Sequence, residues 1–151
     1  GDADGDVDAD GDADGDTDAD GDADIFVCCD ARPNLLFIND GQGHFESKPL
    51  PVKAQFAPIQ GILFDDFDKD GIKDILLAGN MYQSEAETSR ADASIGLLLK
   101  GNSDLTYTPL SSQESGVFLP YDVKDMHRIK LVGGRGVIVG SNSAALKILR
   151  Y

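Results

Sequence analysis

Asp66-Phe67-Asp68-Lys69-Asp70-Gly71-Ile72-Lys73-Asp74 reads D-x-D-x-D-G-x-x-D. Apolar runs lie on both sides, Gly61-Ile62-Leu63-Phe64 before it and Ile75-Leu76-Leu77-Ala78-Gly79 after it. Four carboxylates at this spacing around a glycine suit a hard dication such as Ca2+, which takes about six to eight oxygens at roughly 2.3–2.6 Å. As the loop curls, Asp66, Asp68 and Asp70 are expected to point inward and Gly71 to take a turn that a Cβ would obstruct. The Ile72 carbonyl and the Asp74 carboxylate then complete the shell. A helix–loop–helix calcium hand needs a bidentate Glu at the twelfth position, and Leu77 stands there instead. The short apolar flanks read as strands, so the expected unit is strand, calcium loop, strand. A solvated acidic turn is the alternative for any Asp/Gly stretch. The periodicity, the flanking strands and a second copy in the chain favour the metal.

The second copy lies within residues 1–24, GDADGDVDAD GDADGDTDAD GDAD, where every even position is Asp. The nine-residue pattern fits three overlapping frames: Asp6, Asp8, Asp10 and Asp14; Asp10, Asp12, Asp14 and Asp18; Asp16, Asp18, Asp20 and Asp24. Only the third runs directly into an apolar stretch, Ile25-Phe26-Val27-Cys28-Cys29, so it is the counterpart of Asp66–Asp74. Its seventh position, the backbone ligand, is Asp22. Residues 1–15 alone have the composition of a disordered acidic tail. They carry no large apolar residue and no evident strand for a loop to join, so order there has to come from metal binding.

Charge is distributed unevenly along the 151 residues. The first 24 hold twelve Asp and no basic residue, and the whole chain carries −14. The rest is therefore near neutrality, with 15 acidic residues against 13 basic ones. An acidic chain repels the phosphates that dominate nucleic-acid affinity, so cations or basic partners are the implied ligands and nucleic acid is excluded. No stretch reaches the roughly 18 apolar residues of a membrane span. The chain opens at Gly1 with no signal-like segment, which suggests a processed chain or a piece of a longer one. Cys28 and Cys29 are adjacent and would point to opposite faces of a strand, so they read as small hydrophobes and not as a disulfide. The length suffices for one domain with an adequate core.

From residue 25 onward the pattern is one of short strands and turns. Ile25–Cys29, Leu35–Ile38 and a strand starting at His44 are separated by Ala31-Arg32-Pro33-Asn34 and by the hairpin loop Asn39-Asp40-Gly41-Gln42-Gly43. Pro58–Phe64, the Asp loop and Ile75–Ala78 repeat the scheme. The polar stretch 81–94 reads as a long loop, a place where function is often carried. Strands follow at Ile95–Leu99, Leu105–Thr108, Val123–Val132, Val137–Val139 and Leu146–Leu149, and no helical stripe is evident. His44 and His127 lack partners at metal spacing and read as surface residues. There is no nucleophile elbow, phosphate loop or zinc pattern, and the extra carboxylates Asp65 and Asp122/Asp125 read as turn residues. An enzyme is therefore not expected.

Strand, D-x-D-x-D-G-x-x-D, strand, then a hairpin ending N-D-G-x-G-x-F: this order resembles the FG-GAP/VCBS repeat family, most specifically over residues 16–80 and more loosely to residue 151. The resemblance implies an all-β fold of FG-GAP-type β-propeller blades, each of about four strands, with the calcium loop joining two strands of a blade. It implies ligand sets of Asp16, Asp18, Asp20, Asp22 (backbone) and Asp24, and of Asp66, Asp68, Asp70, Ile72 (backbone) and Asp74. Blades are expected near 25–56, 57–93 and 94–151, the last without an Asp loop. Propellers have about four to eight blades, so this is a partial propeller. The Asp-rich segment 1–24, with Asp6, Asp8, Asp10, Asp12 and Asp14 as further ligands, also resembles tandem thrombospondin type 3 calcium loops. The function implied is an extracellular or cell-surface module with structural Ca2+ that binds a protein or glycan partner. Self-assembly into a calcium-stabilised fibre through open strand edges is the alternative. A fragment of a propeller-type polysaccharide-active enzyme is a second one.

If metal orders the acidic segment, small-angle scattering should show a compact, stiff N-terminus in Ca2+ and a larger radius of gyration in chelator. An equal radius in both would contradict metal-driven order.

Overall fold

The computed structural model describes residues 13–18, 20–29, 32–55, 59–79 and 95–151. The sequence expectations for Asp6, Asp8, Asp10, Asp12 and the loop 81–94 lie outside these residues, as does the side chain of Asp14.

The described chain is all-β, with two single-turn helices. The first sheet is made by β1 (Ala13–Gly15), β2 (Asp24–Val27), β3 (Leu35–Asn39) and β4 (Phe45–Lys48), antiparallel and in sequence order. Helix α1 (Val52–Gln55) follows, and buried Asn34 ties it down by accepting from Cys29 N–H (2.8 Å) and donating to the Ala54 carbonyl (2.8 Å). The second sheet is made by β5 (Gly61–Asp65), β6 (Asp74–Ala78), β7 (Leu97–Gly101) and β8 (Tyr107–Leu110), again in sequence order. Helix α2 (Ser112–Ser115) has a capping box between Ser111 and Glu114 and ends on left-handed Gly116, a signature present in the S-S-Q-E-S-G text. The third sheet is a meander of β9 (Val123–Leu131), β10 (Gly134–Ser141) and β11 (Lys147–Arg150). These are blade-like sheets of a partial propeller, and three are too few to close a ring.

Two groupings differ from the sequence expectation. The strands of 97–110 complete the second sheet and do not start a third unit at residue 94. The reason is register: Ile75, Leu76 and Leu77 pair with Leu99, Leu98 and Leu97, matching apolar side chains on both faces. The alternating Asp segment also supplies a strand, since Ala13, Asp14 and Gly15 pair with Phe26, Ile25 and Asp24. A backbone ladder needs no apolar side chain. The small residues are what the packing requires here, because a Cβ on Gly15 would meet the Phe64 ring at 2.5 Å.

The second sheet sits between the other two, and all five residues of β5 and of β6 are buried. Period-2 alternation divides its side chains between two cores. Ile62, Phe64, Ile75, Leu77, Leu97 and Leu99 pack on Phe26, Leu36 and Ile38 of the first sheet. Leu63, Leu76, Ala78 and Leu98 pack on Val123, Met126, Val137 and Val139 of the third. Each fully buried Leu or Ile contributes roughly 1.5–3 kcal/mol of transfer free energy. This double burial explains why the apolar runs beside the Asp loop are continuous rather than alternating.

Asp65 lies in β5 and Asp125 in β9, so neither is the turn residue expected from sequence, and Asp65 and Asp122 are buried (1% and 4% exposed). Asp65 accepts from Arg135 Nη1 (2.9 Å), from the Tyr151 hydroxyl and from Asp66 N–H (2.8 Å), tying the end of β5 to the third sheet. Asp122 is paired with Lys124 at 2.9 Å. His44 and His127 are exposed, each against a neighbouring aspartate, Asp40 and Asp125.

Gly15→Ala should lower unfolding stability by about 1–3 kcal/mol through the Phe64 clash, and Phe64→Leu in the same chain should restore part of it. Urea denaturation reads both, and an unchanged midpoint for Gly15→Ala would contradict the contact.

Candidate metal centre

Both Asp loops join the first two strands of a four-stranded sheet, Asp16–Ala23 between β1 and β2 and Asp66–Lys73 between β5 and β6. Each is closed by the Asp that starts the second strand. Asp24 accepts from Thr17 N–H (2.6 Å) and from Asn39 N–H of β3 (2.9 Å). Asp74 accepts from Phe67 N–H (2.9 Å) and from Gly101 N–H of β7 (2.9 Å). The two sheets thus repeat one device: a buried carboxylate, one oxygen on the loop and one on the neighbouring strand. Gly101 is required there, since a Cβ would lie 2.2 Å from the Lys73 carbonyl oxygen.

The loops curl around their own side chains. Asp20 N–H points to Asp18 Oδ1 (3.3 Å) and Asp22 N–H to Asp20 Oδ1 (2.9 Å). In the second loop Asp70 N–H points to Asp66 and Asp68 (3.0 and 3.2 Å), Gly71 N–H to Asp66 (3.0 Å), and Ile72 N–H to Asp70 (2.9 Å). Gly21 and Gly71 take the left-handed turn, at φ 97° and 89°.

Two groups of three carboxylates result, Asp16/Asp18/Asp20 and Asp66/Asp68/Asp74, with ligand oxygens within 4.8 Å of one another in each. The first group does not include Asp24, whereas Asp74 both clamps and belongs to its cluster. Asp70 lies outside the second group, and the Lys100 ammonium bridges it (2.8 Å) to Asp68. Asp22 and Ile72 contribute backbone N–H bonds to the curl. Between the loops lies a cavity of about 180 Å3 that Thr17, Asp18, Ile72, Asn102 and Tyr107 help to line.

The donor set fits a hard dication, being oxygen only and anionic. Asp16 Oδ1 is buried with no hydrogen-bond partner, the kind of atom a cation would satisfy. Burial, followed by neighbouring Asp24 and Asp20, pushes the Asp18 carboxyl above its ordinary value. Burial also raises Asp74 against the pull of its two N–H donors, while Lys100 and the Ile72 N–H lower Asp70. A carboxyl raised in the fold favours folding while protonated, and that contribution is lost as pH climbs from 3.8 through the raised value. At neutral pH the ionised Asp18 and Asp74 therefore weigh against the fold, and a bound cation would reverse that. Tyr107, beside both loops, is raised by burial and by Asp24, Asp18 and Asp74.

Sequence reading overlooked Lys100, Asn39 and Gly101. The available signal was a lone lysine breaking the run Leu97-Leu98-Leu99 just before a glycine.

The sequence model of the FG-GAP-like repeat matches residues 16–77, a span that includes both Asp loops and ends inside β6. No curated protein matches the chain, and no solved structure does.

Asp74→Ala leaves the Phe67 and Gly101 N–H groups without acceptors, at about 1–3 kcal/mol each. Asp74→Asn keeps one carbonyl oxygen and should cost less. Denaturation in chelator separates this clamp from metal binding. Equal stability of Asp74→Ala and the parent there would contradict the clamp.

Proposed function

We propose that the chain is a non-enzymatic calcium-binding β-propeller module of the extracellular space or cell surface, with Ca2+ in a structural role. The observation that carries this reading is the repetition of one loop plan in two adjacent sheets. Each loop gathers three carboxylates at a joint between strands. Ions in such joints neutralise charge and fix the loop ends of the blades, a surface suited to protein or glycan partners. Weak sites of this kind, with Kd of about 10⁻⁴–10⁻³ M, match extracellular Ca2+. Among the described residues no helix is long and apolar enough to cross a membrane.

A second reading, assembly with further sheets, is favoured by the outer face of the first sheet. Register puts Ile25, Val27, Leu35, Phe37 and Phe45 on that face, and Leu35 and Phe45 are 38% and 45% exposed. An apolar face of this kind is what a stacked neighbour covers. Concentration-dependent light scattering in Ca2+ tests it, and a monodisperse monomer would contradict self-assembly.

For the main reading, thermal unfolding should shift upward with Ca2+ as RT ln(1 + [Ca2+]/Kd). Asp16→Asn/Asp66→Asn should lose most of the shift. An identical melting temperature in Ca2+ and in chelator would defeat the structural-calcium reading.

A further inference from the structure

The two loops share a frame but differ in one neighbour. Asn39 and Gly101 are equivalent, each giving its N–H to the clamp carboxylate. The residues just before them are therefore equivalent too, Ile38 on β3 and Lys100 on β7. Ile38 is buried among apolar side chains and offers Asp16, Asp18 and Asp20 no charge. Lys100 reaches across the strand pair into the second loop and holds Asp68 and Asp70 together. An ammonium there lies where a cation bound by those carboxylates would exert its charge, and it is bonded to Asp70, which lies outside the ligand group.

We propose that Lys100 is an internal competitor for the cation of the Asp66–Asp74 loop, so that the two loops fill at different Ca2+ concentrations, Asp16–Asp24 first. This rests on the calcium reading above. For Ca2+ to enter the second loop, the ammonium has to leave Asp68 and Asp70, freeing Asp70 to turn inward. At the equivalent position the first loop has Ile38, which imposes no such step. Lys100 is therefore a specificity-setting residue: its fixed single charge opposes loading of one site without taking part in the other. Because the pair is about one-third exposed, solvent screens it, and the expected gain on removing the charge is about three- to tenfold in affinity.

The test is an amide-resolved NMR titration of the full chain with Ca2+, in which the Gly21 and Gly71 amides each report on their own loop. In the parent, Gly21 should reach half-saturation at lower Ca2+ than Gly71. Lys100→Met should move the Gly71 midpoint down about three- to tenfold and leave that of Gly21 in place. Lys100→Arg keeps the charge and should stay near the parent. If Lys100→Met perturbs the fold, Lys100→Gln provides the same reading. Equal midpoints in the parent, or a Gly71 midpoint unmoved by loss of the charge, would overturn the competitor while leaving calcium binding intact. No response of either amide at millimolar Ca2+ would overturn the calcium reading itself.

Discussion

Asp24 and Asp74 each place one carboxylate between a loop and a neighbouring strand, and the geometry around both candidate sites follows from that bond pair. Chains of aspartates repel one another and have no apolar reason to curl. A buried carboxylate that takes two backbone N–H groups fixes where the loop begins and which strand it leans on. The remaining carboxylates are then forced to converge, because only six residues lie between the clamp points. Burying these carboxylates is unfavourable for their charged forms: burial first, and neighbouring aspartates after it, raises Asp18 and Asp74. The same frame that gathers the carboxylates therefore concentrates negative charge that a cation could neutralise.

The second sheet determines how these joints sit in the molecule. Its strands bury both faces, one against each neighbouring sheet, so the first Asp loop lies beside the second across a shared cavity. Two small features permit the close stacking. Gly15 yields room to Phe64, and Asp65 gathers Arg135 and Tyr151 from the third sheet. Tyr151 in turn packs edge-on against Phe67 of the second loop, with ring centroids 4.7 Å apart. The second Asp loop, the inter-sheet core and the last strand are thus mechanically continuous.

Much of this was legible in the sequence. The Asp loops, their flanking strands and the Asn39–Gly43 hairpin follow from local rules about spacing and turn chemistry. What was not legible depends on pairing between distant segments. Ala13–Gly15 has no side-chain signature of a strand and becomes one only because β2 offers a ladder. Leu97–Leu110 joined the second sheet by register across a long insertion, a relation no local pattern reports. Asp65 resembles any carboxylate beside a turn until Arg135 and Tyr151, remote in sequence, are brought to it. The division of labour within the Asp motif was hidden for the same reason. Position nine is a clamp because of the strand beside it, and position five of the second loop is paired with Lys100.

The most direct measurement of the clamp is native-state hydrogen exchange at the amides of Thr17, Asn39, Phe67 and Gly101. If the buried carboxylates organise the loops, all four stay protected in chelator as well as in Ca2+, while the exposed amides of Asp20 and Asp70 exchange readily in chelator. Rapid exchange of the four amides in chelator would show that the loops are held by the cation alone, and would contradict the account.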